Sequence, residues 1–253
     1  MDYPGISCMC LTFGRPTRIL EEAVYSFQHQ DYPGEKELLI LNDFDQQHFR
    51  CEDEQVTVVN VPARFHTVGE KRNAAAALCR FDLLAVWDDD DIYLPHRLTF
   101  SMSKYDESTR FFKPSKAFVI NDDWITGPFS NLFHGGAIWH RSLFDEVGGY
   151  AHMGSGQDMD LEGRFQRVIG PGKDYVEITP EEIFYLYRWA GTHSYHLSGF
   201  GRDGPDHSGG DKVLDYATRE LRAGRIDGGE IALLPHWDTD YTQLVADHVA
   251  TLS

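Results

Sequence analysis

No apolar stretch among the 253 residues approaches the roughly 20 that a membrane-spanning helix needs. The opening residues Met1-Asp2-Tyr3-Pro4-Gly5 lack the basic and apolar regions of a secretory leader, so a cytoplasmic protein is expected. Basic side chains are scarce: 23 Lys and Arg stand against 40 Asp and Glu, a formal net charge of −17. Such a balance suits following a nucleic-acid backbone poorly and disfavours nucleic acid as a partner. Cysteine is scarce too. Cys8, Cys10, Cys51 and Cys79 offer no pair of CxxC-like spacings, which argues against a zinc site and for buried free thiols. Neither an internal repeat nor a low-complexity tract is present.

What remains is ordinary globular composition, 42% hydrophobic and 25% charged, in a length that suits one large α/β domain or one domain with a modest extension. The first hundred residues alternate strand and helix signals. Strands are predicted at Ile6 to Thr12, Leu38 to Leu41, Val56 to Val61 and in the apolar run Phe81 to Trp87. Between them, Pro16 opens a helix on which Ile19, Leu20, Ala23, Val24 and Phe27 recur at helical spacing, and Gly69 to Cys79 forms a second. This alternation predicts a parallel sheet flanked by helices. The second half predicts strands at Phe118 to Asn121, Asn131 to Trp139 and Ile183 to Trp189, and helices at Arg141 to Val147, Asp158 to Val168, Lys212 to Ala223 and Tyr241 to Thr251. Residues 191–211, rich in Gly, His, Ser and Asp, read as a ligand-ordered loop.

The acidic run Asp88-Asp89-Asp90-Asp91 stands at the end of the apolar run and ahead of Ile92-Tyr93-Leu94-Pro95. In open α/β sheets ligands bind outside the carboxyl ends of the strands. Four carboxylates there repel one another unless a cation is present, and hard oxygen ligands suit Mg²⁺ or Mn²⁺. The alternative is a solvated turn capping the helix that starts near Pro95.

The order of motifs resembles family 2 glycosyltransferases of the GT-A fold. The matching segments are Ile6 to Pro16, Ser26 to Pro33, the strand ending in Asn42-Asp43, Gly69 to Ala75, and Trp87 to Asp91 with the family's DxD element. A second block, Gly148-Gly149-Tyr150 followed by Gly156-Gln157-Asp158-Met159-Asp160-Leu161, resembles the acceptor-side region and the ED motif. The resemblance covers roughly residues 5 to 200. It implies a Rossmann-like GT-A domain over 1–211, with a mixed central sheet flanked by helices. About 1–110 would form the nucleotide-sugar half and 111–211 the acceptor-side half, with a helical extension over 212–253 packed on the same domain.

The resemblance also implies a nucleotide-diphosphate-sugar donor, UDP-sugar first with GDP- or dTDP-sugars as alternatives, a divalent Mn²⁺ or Mg²⁺, and a carbohydrate or other hydroxyl acceptor. Thr12, Phe13 and Arg15 match the loop lining the nucleotide, Asp43 the acid that contacts the base, and Arg72 a cation facing the nucleotide or diphosphate. Asp88 would lean toward the ribose and Asp90 ligate the metal, with Asp88 a less certain second ligand. Asp89 is grouped with the nucleotide-sugar and Asp91 with the acceptor, solvation or capping being the alternative for both. Asp158 matches the general base of the ED motif, beside Gln157 where Glu is usual; the alternative is a helix cap. A third metal ligand would come from His196 ahead of His193, and Arg188 or Arg202 would clamp a phosphate. Gly135 and Gly136 match a small-residue turn beside sugar and acceptor, for which a plain hairpin is the alternative. Trp124, Trp139 and Trp189 offer stacking platforms or core packing, Trp189 being assigned to the acceptor side. Asp122 and Asp123 carry no assignment. A nucleotidyltransferase would share the sheet and the acids but should carry a Gly-rich phosphate loop, for which Phe13-Gly14-Arg15-Pro16 is a poor substitute. A non-catalytic nucleotide-sugar-binding module draws its footing from Gln157.

Overall fold

The strand on which the molecule is organised is Ile6–Thr12 (β1), every residue of which is buried. Its side chains alternate between the two faces of the sheet. Ile6, Cys8 and Cys10 enter one apolar cluster with helix Thr17–Gln28 (α1), while Met9 and Leu11 enter a second with helix Val68–Leu78 (α2). The computed structural model describes residues 3–121, 124–130, 133–173, 175–189, 215, 218–219 and 228–252.

Chain order continues through Lys36–Asn42 (β2), Phe49–Arg50 (β3), Val56–Asn60 (β4), Leu83–Val86 (β5), Ile92–Tyr93 (β6), Arg97–Lys104 (α3), Phe111–Phe112 (β7), Lys116–Asn121 (β8) and Trp124–Ser130 (β9). A 3₁₀ turn at His134–Gly136 leads to Ile138–His140 (β10), Arg141–Glu146 (α4), Gln157–Ile169 (α5), Tyr185–Arg188 (β11), Ile231–Ala232 (β12) and Tyr241–Ala250 (α6). The main sheet runs β4-β2-β1-β5-β10-β7. Its first four strands are parallel; β10 is antiparallel to β5 and β7 antiparallel to β10. The chain builds outward from β1 to β4 and then returns by α2 to add β5 on the other side of β1. The strand order therefore reverses between β1 and β5, where an open α/β sheet forms its ligand crevice. A smaller mixed sheet, β6-β11-β8-β9, joins the acidic run to the second half of the chain, and β12 pairs with β3.

The predicted elements of the first half fall within one or two residues of those observed, because each carries its own period and its own caps. Thr67 and Glu70, for example, form a reciprocal capping box at the start of α2. The strand expected over Asn131 to Trp139 is corrected. The described part is a 3₁₀ turn followed by only three strand residues, Ile138–His140. Gly135 and Gly136 add no side chain to a strand face, and the backbone there folds tightly beneath Tyr185. Strand β9 was not expected, since Gly127-Pro128 interrupts its pattern.

All four cysteines are free, and Cys8, Cys10 and Cys79 are buried. Residues 228–252 lie against the same body. Trp237 Nε1 donates to the Glu22 carbonyl, the Tyr241 hydroxyl donates to the Glu22 carboxylate, and His248 packs edge-on against Phe118. In the extension expected over 212–253, Asp215, Thr218 and Arg219 are helical, 228–240 contains β12 and irregular chain, and the helix Tyr241–Ala250 lies where Tyr241 to Thr251 was expected; the rest of 212–227 lies outside the described residues. No helix among the described residues is long and apolar enough to cross a membrane.

Candidate functional site

Small-molecule sites are clefts of about 300–1,000 Å³; the one outside the carboxyl ends of β1 and β5 measures about 530 Å³. Its wall includes Arg15, Arg72, the four aspartates, His134, Gln157 and Asp158. β5 delivers the acidic run, the loop after β1 delivers Arg15, α2 delivers Arg72, and the N-terminus of α5 delivers Gln157 and Asp158.

Within the run the aspartates divide by accessibility. Asp88 and Asp90 keep 30% and 17% of their side chains exposed, against 5% for Asp89. Arg15 grips Asp89 with Nε at 3.0 Å and an Nη at 2.8 Å, and that Nη lies 3.0 Å from Asp90. Arg15 therefore braces the acidic loop from within the cleft wall, and Asp89 is held by it. Asp91 is buried: the Tyr185 hydroxyl donates to one oxygen at 2.7 Å and the Arg188 N–H to the other at 2.8 Å. That corrects its acceptor-side placement, because its oxygens tie the run to β11. Solvation, the alternative for both residues, is also ruled out by their burial. Burial pushes the Asp90 carboxyl up to about 7, aided by Asp89 and Asp88 and opposed by Arg15. Burial raises Asp91 as well, with its acidic neighbours adding to the shift.

At the far end of β2, Asp43 is buried and both its oxygens are occupied. Lys71 Nζ donates to one at 2.5 Å and the Phe65 N–H to the other at 3.0 Å. Lys71 also donates to the Thr12 carbonyl at 2.7 Å, so one buried cation joins the ends of β1 and β2. The Thr12 hydroxyl is buried without a hydrogen-bond partner among the described residues. Phe13 packs edge-on against Phe44, and the Arg64 guanidinium lies 3.9 Å from its ring centre, an aromatic and cationic corner at this end.

Arg72 turns inward, with 12% of its side chain exposed, and reaches Asp88 at 3.3 Å. A free surface arginine, the alternative for this position, is excluded. Asp158 stands in the first turn of α5 and accepts the Met159 N–H at 2.9 Å. Burial alone would raise its carboxyl, but His134, Arg72 and that N–H together hold it below the usual carboxylate value. Asp160 is taken by Arg164, at 2.6 Å on the same helix. Gln157 is buried, and its Oε1 has no hydrogen-bond partner among the described residues.

Gly135 brings the turn before β10 against the acidic run. A Cβ there would lie 2.5 Å from the Tyr185 hydroxyl and 3.0 Å from Asp88 Oδ2, so only glycine fits. Gly136 completes the turn. The residue that sequence reasoning passed over is His134. Its Nδ1 lies 2.6 Å from Glu162 and its Nε2 2.6 Å from the Tyr150 hydroxyl, while Lys113 reaches the other oxygen of Glu162 at 2.7 Å. Glu162 was legible in principle, four residues after Asp158 on the same face of a helix.

Arg188 is not free to clamp a phosphate. Its guanidinium lies 2.6 Å from buried Glu22 and 3.2 Å from the Tyr241 hydroxyl. Trp139 is core, fully buried; Trp124 and Trp189 are exposed, and Trp189 stands beside Tyr187 at the end of β11, outside the cleft wall. His193, His196, Arg202, Asp122 and Asp123 lie outside the described residues.

Among the described residues no three His, Cys, Asp or Glu side chains converge as a metal cluster. The donor set nevertheless suits one class of ion. Mg²⁺ and similar hard cations are held by one or two carboxylates together with substrate phosphates, and Asp88 and Asp90 supply two. The raised carboxyl of Asp90, crowded by like charges in a buried place, is the observation that fits a cation there.

No protein-family model matches the sequence, and no curated protein does either. Solved structures share the fold. S. aureus TarS superposes with a TM-score of 0.53 at 13% identity, over 85% of this chain and 43% of TarS, so the chain spans less than half of that protein's length. Crystal structures of TarS 1-349 alone and in complex with UDP each give a TM-score of 0.54. Their identities are 13% and 14%, over 88% and 86% of this chain and 73% and 72% of theirs. At such identity the likeness is one of fold, a mixed α/β body with a mixed central sheet, and one of its bearers was solved with UDP.

Proposed function

We propose that this chain is a metal-dependent glycosyltransferase with a GT-A fold, moving a sugar from a nucleotide diphosphate, UDP first, to an acceptor hydroxyl with inversion. The observation that carries the reading is the meeting of Asp88, Asp90, Arg72 and Asp158 around one cleft at the strand-order reversal. The shared fold of a protein solved with UDP supports the choice of nucleotide.

In this reading the diphosphate faces Arg72 and the acidic run. Arg72 offers a fixed positive charge to the departing nucleotide, already oriented and largely out of water. Asp88 and Asp90 hold Mn²⁺ or Mg²⁺, which when bound supplies Lewis-acid neutralisation of the diphosphate. Asp158 accepts the acceptor's hydroxyl proton as that oxygen bonds to the anomeric carbon and the bond to the diphosphate oxygen breaks. Its lowered pKa keeps it ionised and available at neutral pH. A single displacement of this kind inverts the anomeric centre. Gln157 and Gly135 border the sugar and acceptor side. Arg15, locked on Asp89, offers no free cation to a triphosphate, which weighs against nucleotidyl transfer.

A thermal-shift and donor-hydrolysis screen of nucleotide-sugars with and without Mn²⁺ tests the proposal. Stabilisation and turnover by one donor class, lost in excess chelator, are expected; full activity in chelator sinks the metal assignment, and no response to any donor sinks the reading. Asp158→Asn should abolish transfer while nucleotide affinity stays within about twofold. Near-native turnover would place the base elsewhere.

A further inference from the structure

Arg72 is the charge that the proposed function sets against the diphosphate, yet its own anchorage is slight. Its guanidinium approaches Asp88 at 3.3 Å and hydrogen-bonds the Tyr150 side chain, and its Nε is buried without a hydrogen-bond partner among the described residues. What holds the guanidinium is the ring of Tyr150, whose centre lies 5.5 Å away, within cation–π range.

Tyr150 is fixed at both ends. Its backbone is clamped by Asn73, the neighbour of Arg72 on α2, which donates to the Tyr150 carbonyl at 2.9 Å and accepts its N–H at 2.8 Å. Gly149 permits this approach: it sits at φ +71°, and a Cβ there would lie 2.8 Å from Asn73 Oδ1. The hydroxyl is fixed by His134. With its proton on Nδ1 facing Glu162, the imidazole accepts the Tyr150 O–H at Nε2, and Lys113 completes the carboxylate, so every donor in the series points toward Glu162. Glu162 lies on α5, one turn beyond Asp158. One chain of contacts thereby sets the relative placement of α2, which carries Arg72, and of α5, which carries Asp158.

We propose that Tyr150 is a positioning residue, braced by His134 and Glu162, which orients Arg72 toward the diphosphate of a bound nucleotide. The ligand part of this inference rests on the proposed function. The orientation of Arg72 in the free protein does not.

A double-mutant cycle on the affinity for UDP with Mn²⁺ tests it. Arg72→Ala should weaken binding about tenfold or more, the loss of a charge-assisted contact. Tyr150→Leu, which keeps the Asn73 clamp on the backbone, should weaken it severalfold in the native background and have almost no further effect in the Arg72→Ala background. Additive losses overturn the proposal, because a general structural role would act in both backgrounds. His134→Asn and Tyr150→Phe should each give a smaller loss that also vanishes with Arg72→Ala. A second readout uses the free protein. The Arg72 Nε–H resonance, identified by its disappearance in Arg72→Lys, should shift or broaden in Tyr150→Phe and His134→Asn. If the native protein binds no nucleoside diphosphate, the functional reading fails and this resonance alone decides the positioning role. A resonance unchanged in both variants overturns it.

Discussion

The Arg15 guanidinium forks onto Asp89, with Nε at 3.0 Å and an Nη at 2.8 Å, across 74 positions of sequence. Both side chains are almost wholly buried. Removing one partner of such a pair strands an uncompensated charge, which costs about 3–5 kcal/mol. Arg15→Met is expected to destabilise by that amount in urea unfolding, and Arg15→Lys by less, since it keeps the charge but cannot fork. A loss below about 1 kcal/mol for Arg15→Met would mean that the pair behaves like a surface contact.

Asp90 gives the acidic run a pH signature. Its carboxyl rises on folding from 3.8 to about 7, through burial first and then the charge of Asp89. The folded state thus favours the protonated form. The associated stability is full below the ordinary carboxylate value and is lost as pH rises through about 7. Metal-free protein should lose melting temperature between about pH 5 and about pH 8, and Asp90→Asn should remove that part of the slope. Mn²⁺ should raise the melting temperature more at about pH 8 than at about pH 5, because only the ionised carboxylate ligates. Identical metal-free profiles for the native protein and Asp90→Asn would refute the assignment.

The contrast between Asp90 and Arg15 shows where the sequence was readable. A strand followed by acids, ahead of a helix, places the run at the carboxyl end of β5 by local pattern alone, and the short, continuously buried runs of β1 and β2 are equally local. Partnership is not. Nothing near residue 15 shows that its charge is spent on Asp89, nor anything near residue 188 that Glu22 takes its guanidinium. Such pairings are set by strand order, which joins segments far apart in sequence. The His134 series was hidden for the same reason, being contributed by β7's following residue Lys113, the 3₁₀ turn, the loop after α4, and α5. Other strands were obscured by length alone: β6, β7 and β12, one in each sheet, are two residues each, too short to show a period.

Lys71 and Asp43 form a second buried ion pair, just beyond the end of β2, joined at 2.5 Å. Lys71→Met leaves the carboxylate buried beside an apolar chain and releases the Thr12 carbonyl, so a loss of about 3–5 kcal/mol is expected. Adding Asp43→Asn should recover part of it, because the stranded charge is then gone and the two sites are in contact. A double variant less stable than Lys71→Met alone, measured by urea unfolding, would show that Asp43 is held chiefly by the Phe65 N–H.

Gln157 separates a demand of folding from a demand of function. Its buried Oε1 lacks a donor among the described residues, a state that costs about 1–3 kcal/mol, and the side chain lies in the cleft wall next to Asp158. A residue kept for packing alone gains nothing from an unmet acceptor, whereas one that receives a substrate hydroxyl needs it unmet until the substrate arrives. Gln157→Met keeps the volume and removes the acceptor. It should raise the unfolding free energy by about 1 kcal/mol while lowering turnover severalfold, with UDP affinity unchanged. Loss of stability together with native turnover would make Gln157 a structural residue of α5 and leave the acceptor side to be defined by Asp158 and Gly135.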